Sequence, residues 1–303
     1  MAASGPSNGA PPNALGAWLP ASWLAALAAH GHDLGAADLA ADVFLDVPPD
    51  PSGFDPVLTK RVFFLLAQTV LRYFRVRTID AHHIPSGRGL LVGCHSGVFA
   101  WDATCLIVAV YQATGRFTRN VGDRFFGSLG PMTDFLRRTG FVVGDRGAVE
   151  RLLADDELVL VFPGGADDML RPFWRRYRLA GNRGLKPGRG GYVKAALRTG
   201  SPIVPMACIG AEEIHVMLGD VPAIARLMGT PFFPIVASPL PLPARVYLRF
   251  GRPIRFAEPP EAADDQATVD RLNQRVQRDL QALIDDTRRR RHGIFLSRYD
   301  ATP

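Results

Sequence analysis

The sequence predicts an α/β protein: a mixed central sheet flanked by helices, preceded by an N-terminal helical segment. Three features of its 303 residues point there. Short apolar runs at 76–80, 90–94, 142–145, 158–162, 203–207 and 245–250 are rich in β-branched residues and bounded by turn formers, which marks them as strands. Helical patterns alternate with these runs, the order expected of layered α/β packing. From Asp265 onward Val269, Leu272, Val276, Leu280, Leu283 and Ile284 recur in steps of three and four, so residues 265–291 read as a long amphipathic C-terminal helix ending in Arg288, Arg289, Arg290 and Arg291.

Along the chain, residues 1–13 are rich in Ala, Gly, Pro, Ser and Asn and read as a loose tail, 15–29 as a helix, and Pro48, Pro49, Pro51 and Gly53 as a linker. Residues 1–55 thus form an acidic tail and helical segment ahead of a main domain over 56–303. At 56–75 the apolar Val57, Leu58, Val62, Leu65, Leu66, Val70 and Leu71 fall at helical spacing beside Lys60, Arg61, Arg72 and Arg75. That pattern suits either a core helix or an amphipathic helix lying in the headgroup layer of a membrane. Residues 221–243 hold six prolines, Phe232, Phe233 and a single charge, Arg226. A loop that apolar packs on the body or meets lipid.

The formal charge is +6, yet residues 1–59 contain no Lys or Arg and six Asp, so the rest of the chain sets 35 basic residues against 23 acidic ones. Such a body suits anionic partners: phospholipid headgroups, the phosphates of coenzyme A, or nucleic acid. No apolar run reaches the ~18 to 20 residues a spanning helix needs. No Lys or Arg precedes the apolar part of the N-terminus, the wrong layout for a secretory signal, so the expected location is cytoplasmic. Cys94, Cys105 and Cys208 form no CxxC pair and no zinc-ligand spacing and read as reduced core residues. There is no internal repeat.

Four segments carry chemistry. In LLVGCHSGVFAWDA a strand runs into His95, a Ser96–Gly97 turn and then a helix whose first turn holds Asp102. If the loop folds back, the Asp102 carboxylate takes the proton on one ring nitrogen and leaves the other to accept one from a hydroxyl, the arrangement of a general base with its orienter. The bland alternative is a capping Asp beside a core His. Ser96 invites a nucleophile reading, but a nucleophile elbow needs glycines where Cys94 and Val98 stand. In GFVVGDR a strand exits onto Asp145 and Arg146, and an arginine so placed can clamp a phosphate or pair with a surface carboxylate. In LVLVFPGGADD a buried strand ends at Phe162, Pro163, Gly164 and Gly165, where backbone N–H groups can face a developing oxyanion or simply form a tight turn. The following stretch to Lys194 holds Arg171, Arg175, Arg176, Arg178, Arg183, Lys186, Arg189 and no acidic residue, a platform for polyphosphate or lipid phosphate. Its interleaved Phe173, Trp174 and Tyr177 also suit nucleic acid, a minority reading. The fourth, SPIVPMA, is a short buried strand containing Pro205.

In this order the segments resemble the glycerol-phosphate and lysophospholipid acyltransferase superfamily, with features of its diacylglycerol-acyltransferase-like branch. The motifs of that superfamily, His-x4-Asp, Gly-x-x-Phe-x-x-Arg, Phe-Pro-Glu-Gly and a strand ending in Val-Pro, are matched by His95 with Asp102, Gly140 to Arg146, Phe162 to Gly165, and Ile203 to Met206. Six residues separate His95 from Asp102, and Gly164 stands where the motif has Glu, with Asp167 or Asp168 available to replace it. The resemblance implies an enzyme that moves an acyl group from a thioester, acyl-CoA or acyl carrier protein, to a hydroxyl of a lysophospholipid or glycerolipid. It implies His95 as base, Asp102 as its orienter, and Ser96, Gly97, Arg146, Phe162, Pro163, Gly164, Gly165, Asp168 and Arg171 around the substrates. The acyl chain would run along a groove lined partly by the 98–110 helix. No metal or redox cofactor and no nucleic acid enters. The expected partners are the thioester donor, the lipid acceptor and an anionic membrane surface, with the protein peripheral on its inner face. A neutral lipid alcohol such as diacylglycerol as acceptor, a lipid esterase using Ser96, and a non-catalytic lipid-binding protein are the rival readings.

Overall fold

The computed structural model describes residues 53–59, 70–122, 131–144, 147–179, 190–227, 232–291 and 293–295, all within the compact unit Pro48–Pro303. The predicted 15–29 helix, the middle of the predicted 56–75 helix, and Arg146, Arg183, Lys186 and Arg189 lie outside the described residues.

A seven-stranded sheet forms the centre, in the order β1-β9-β6-β2-β5-β3-β4. Its members are β1 (Arg77–Ile79), β2 (Gly89–Gly93), β3 (Thr118–Gly122), β4 (Phe141–Val143), β5 (Leu158–Val161), β6 (Ile203–Ile209) and β9 (Tyr247–Phe250). All neighbours are parallel except β6 and β9, which run antiparallel. A separate antiparallel pair joins β7 (Met217–Asp220) to β8 (Pro234–Val236). The six predicted strands are all present. β3 is the addition within the main sheet: its Thr118, Arg119 and Asn120 carry no apolar signal, and it is made a strand by position, paired to β5 on one side and β4 on the other.

β2, β5 and β6 are buried along their whole lengths, which is why they read as continuous apolar runs rather than as alternation. The pleat sends successive residues to opposite faces. Leu91, Leu158, Leu160, Val204, Met206 and Leu248 pack with helix α1 (Trp101–Thr114) on one side. Leu90, Val92, Val159, Val161 and Ile203 pack on the other side with α3 (Ala148–Ala154), α4 (Gly191–Thr199) and α5 (Gln266–Arg290); α2 (Pro131–Arg138) leads into β4. Pro205 is tolerated in a central strand because the β9 pairing begins only at Met206, and the Pro205 carbonyl accepts the Gly251 N–H at 2.7 Å.

The predicted 265–291 helix spans Gln266–Arg290, started by Asp265, whose carboxylate accepts the N–H groups of Ala267 and Thr268. Five of its six predicted apolar positions are buried, Leu283 only partly. Of the predicted 56–75 helix, the described parts are a turn at Pro56–Leu58, capped by Asp55, and residues 70–73, with Leu71 and Phe74 buried and Tyr73 exposed.

Candidate active site

β2 ends at Gly93 and delivers Cys94, His95 and Ser96 to the C-terminal edge of the sheet, where α/β proteins of this kind place their ligands. The Ser96 hydroxyl donates to the carbonyls of Cys208 and Cys94 at 3.0 and 3.3 Å and so ties the end of β2 to the end of β6. Gly97 follows with φ +89°, and a Cβ there would stand 2.7 Å from the Ala211 carbonyl oxygen. Phe99 and Ala100 also take positive φ, 65° and 52°, a costly arrangement for residues with a Cβ. Its result is a sharp reversal into α1.

That reversal brings Asp102 beneath His95. The carboxylate is fully buried, and its Oδ2 lies 2.9 Å from His95 Nδ1 while also accepting the Ser96 N–H at 2.7 Å. Asp102 stands in the first turn of α1, where the helix dipole favours an anion. With Nδ1 donating to Asp102, Nε2 is left as the proton acceptor. The imidazole keeps 15% exposure and lies flat on the Phe162 ring, centroids 3.9 Å apart and planes 17° from parallel. Phe162, expected to border substrate, therefore backs the histidine. The Ser96 N–H is already committed to Asp102.

Phe162 is brought there because β5 is the neighbour of β2. After it the chain turns through Pro163, Gly164 and Gly165, with the Gly165 N–H donating to the Phe162 carbonyl. A Cβ on Gly164 would overlap the Asp168 carboxylate. Of the two acids available to replace the motif glutamate, Asp168 is thus the one folded against the turn, buried, while Asp167 is exposed. The adjoining cavity is walled by Gly93, Pro163, Gly164, Asp168, Tyr192 and Leu280. His95 is not among its walls, so it is not itself the cleft over the base.

Arg171 was expected on an anion platform, but the structure places it inside the protein. Its guanidinium donates to Asp168 at 2.7 Å, to Glu212 at 2.8 Å and to Cys94 Sγ at 3.1 Å. Glu212 also accepts the Tyr177 N–H at 2.9 Å, and burial pushes its carboxyl up to about 7. Tyr177 is likewise internal, its hydroxyl donating to Glu213 and accepting the Gly210 N–H, and Arg291 closes on Glu213 at 2.8 Å. The burial that removes Tyr177 from any nucleic-acid surface pushes its phenol well up. Glu212 and Glu213 were not singled out from the sequence; the available signal was a pair of acids directly after a wholly apolar strand. Of the remaining cluster, Arg175 and Arg178 are exposed and Arg176 lies over the Phe173 ring.

Arg146 lies outside the described residues, and β4, which leads to it, stands three places from β2 in the sheet, ~14 Å at the usual strand spacing. The body of α1 is buried in the core from Cys105 to Val110, while Phe99, just before it, is exposed. Burial pushes the thiols of Cys94, Cys105 and Cys208 up, Cys105 to about 12. Among the described residues no group of three or more His, Cys, Asp or Glu could hold a metal ion, and no helix is long and apolar enough to cross a membrane.

The family model described as acyltransferase matches residues 75–209. An uncharacterized protein of Mycobacterium tuberculosis is 35% identical over 263 residues, covering 82% of this chain and 72% of its own. One of Mycobacterium leprae is 34% identical over 264 residues, covering 82% and 70%. Among solved structures, the 1-acyl-sn-glycerophosphate (LPA) acyltransferase PlsC of Thermotoga maritima shares the fold, with a TM-score of 0.52 and 14% identity over 78% of this chain and 82% of that one. The family match runs from just before β1 to the last residue of β6 and takes in the His95 loop, Asp102 and the Phe162 turn; over that stretch the chain belongs to the acyltransferase family.

Proposed function

We propose that this acyltransferase moves a fatty acyl group from a thioester, acyl-CoA or acyl carrier protein, to a hydroxyl of a lysophospholipid or other glycerolipid, with His95 as general base. The observation that carries the reading is the 2.9 Å contact between His95 Nδ1 and the buried Asp102. It supports a tautomer whose Nε2 takes the proton as the acceptor oxygen attacks the thioester carbonyl. The sulfur then leaves as the carbonyl re-forms, and the proton on the imidazole passes to it. No covalent enzyme intermediate is needed. With the Ser96 N–H occupied, the developing oxyanion falls to the Gly97 N–H. The Ser96 hydroxyl, buried and bonded to two carbonyls, is poorly placed to act as an esterase nucleophile.

A lipid substrate requires access to a membrane surface. Leu227 and Leu240 are 88% and 73% exposed in the segment 221–243, whereas Phe232 and Phe233, the expected anchors, are half-buried. Tyr73, exposed beside Arg72 and Arg75, donates to the Pro241 carbonyl at 2.8 Å. Phe99, 55% exposed, packs on His215, whose ring nitrogen is bonded to the Ser238 carbonyl. These links support one apolar and basic face next to the His95 loop as the membrane side, the protein being peripheral on the cytoplasmic leaflet.

The test is acyl transfer by purified protein from long-chain acyl-CoA and acyl carrier protein to lysophospholipids and diacylglycerol in mixed micelles. His95→Ala should lose roughly 10² to 10⁴ in rate, and Ser96→Ala should keep most of it. The opposite pattern would mean an esterase.

A further inference from the structure

Arg171 is a long cation only 7% exposed, bound by groups from three separate places in the chain. Each is one step from the proposed site. Cys94, whose sulfur it contacts at 3.1 Å, directly precedes His95. Asp168, 2.7 Å away, fills the space beside Gly164. Glu212, 2.8 Å away, follows Ala211, whose carbonyl oxygen presses on Gly97. A surface arginine would have no cause to be withdrawn from water, and a buried one is retained only when its partners satisfy it. Here those partners are the loop that carries the base, the turn after β5 and the exit of β6.

We infer that Arg171 is a positioning residue for acyl transfer: its planar fork ties the turn after Phe162, through Asp168, to Cys94 and the loop that carries His95, so that the base and the Phe162 ring behind it are held in one arrangement. The inference rests on the reading of His95 as base. Asp168 alone would not do this, since the guanidinium is the bridge that joins it to Glu212, one NH₂ group meeting each acid. Glu212 adds a second hold, because the same Oε1 that meets Arg171 accepts the Tyr177 N–H. A lysine in place of the arginine keeps the charge but meets one carboxylate at a time, and so loses the fixed separation.

The experiment compares kcat, KM and melting temperature for the parent, His95→Ala, Arg171→Lys, and the neutral combination Arg171→Met with Asp168→Asn and Glu212→Gln, on the thioester and lipid pair the parent uses fastest. Displacement of about 1 Å at a reacting centre costs on the order of 10²-fold. Arg171→Lys is therefore expected to lose ~10- to 100-fold in kcat, with KM for the thioester within about twofold of the parent and the pH at which kcat is half-maximal unmoved. In the neutral combination the melting temperature should recover while kcat stays low. If kcat returns together with the melting temperature, or if Arg171→Lys keeps the parent kcat while His95→Ala is dead, Arg171 serves stability alone and the inference is overturned. If His95→Ala transfers as fast as the parent, the base reading itself has failed and takes the inference with it.

Discussion

The His95 imidazole lies against the Phe162 ring with centroids 3.9 Å apart and planes 17° from parallel, so the first residue of the Phe-Pro-Gly-Gly segment is a wall for the base. The stack works with the Asp102 contact: one partner fixes the ring plane and the other fixes rotation within it. Phe162→Ala should therefore loosen the imidazole. The expected result is a ~10- to 100-fold lower kcat, from lost orientation, with little change in KM for the donor. Steady-state kinetics read by thiol release check it, and an unchanged kcat would leave Phe162 as core filling only.

Asp102→Asn probes the tautomer. Both contacts fall on Oδ2, so an Asn that keeps its oxygen there holds the same hydrogen bonds but loses the negative charge that stabilises the imidazolium, whereas an NH₂ group placed there would face the Ser96 N–H and draw the ring proton to Nε2, the atom required as base. A loss of about 10⁴ in kcat, as for other orienting carboxylates, is expected with the fold retained. Circular dichroism and transfer assays on the same sample separate the two effects.

Glu212 gives stability a pH dependence of definite sign. Burial raises its carboxyl from 4.5 to about 7, against the opposing pull of Arg171 and the Tyr177 N–H. The folded protein then holds a proton that the unfolded chain has released, so this stabilising contribution is complete below pH 4.5 and is lost as pH rises to about 7. One such group changes the unfolding free energy by at most about 1.4 kcal/mol per pH unit. In Glu212→Gln the difference from the parent should shift across that window and be flat above it. Urea unfolding at a series of pH values measures it, and parallel curves would show that Glu212 titrates as an ordinary carboxylate.

On anionic vesicles the expected anchors are Leu227 and Leu240. Replacing both with Ser removes two exposed apolar side chains and should weaken vesicle binding by ~10-fold or more, at roughly 1.5 to 3 kcal/mol for each fully buried leucine. Raising salt from 0.1 to 0.5 M should weaken binding further by screening the arginines. Co-sedimentation with phosphatidylserine-containing vesicles tests both, and tight, salt-independent binding by the double variant would place the membrane elsewhere.

Much of this molecule was legible in the linear sequence because its signals are local. Strands buried on both faces must be uninterrupted apolar runs, and an amphipathic helix must repeat every three to four residues, so six strands of the main sheet and the helix Gln266–Arg290 could be located from pattern alone. The pairing of His95 with Asp102 was also local, since seven residues and one reversal join them. What the sequence could not decide depends on strand order. β3 has no apolar signature of its own and exists because β5 and β4 flank it. Phe162 reaches His95 only because β5 is placed beside β2. Arg171 read as one basic residue in a run of eight, and only the tertiary structure put it between Asp168 and Glu212, 41 residues later in the chain, because the exits of β5 and β6 both border that of β2. A charge in the sequence shows that it needs a partner or water, and the fold determines which one it receives.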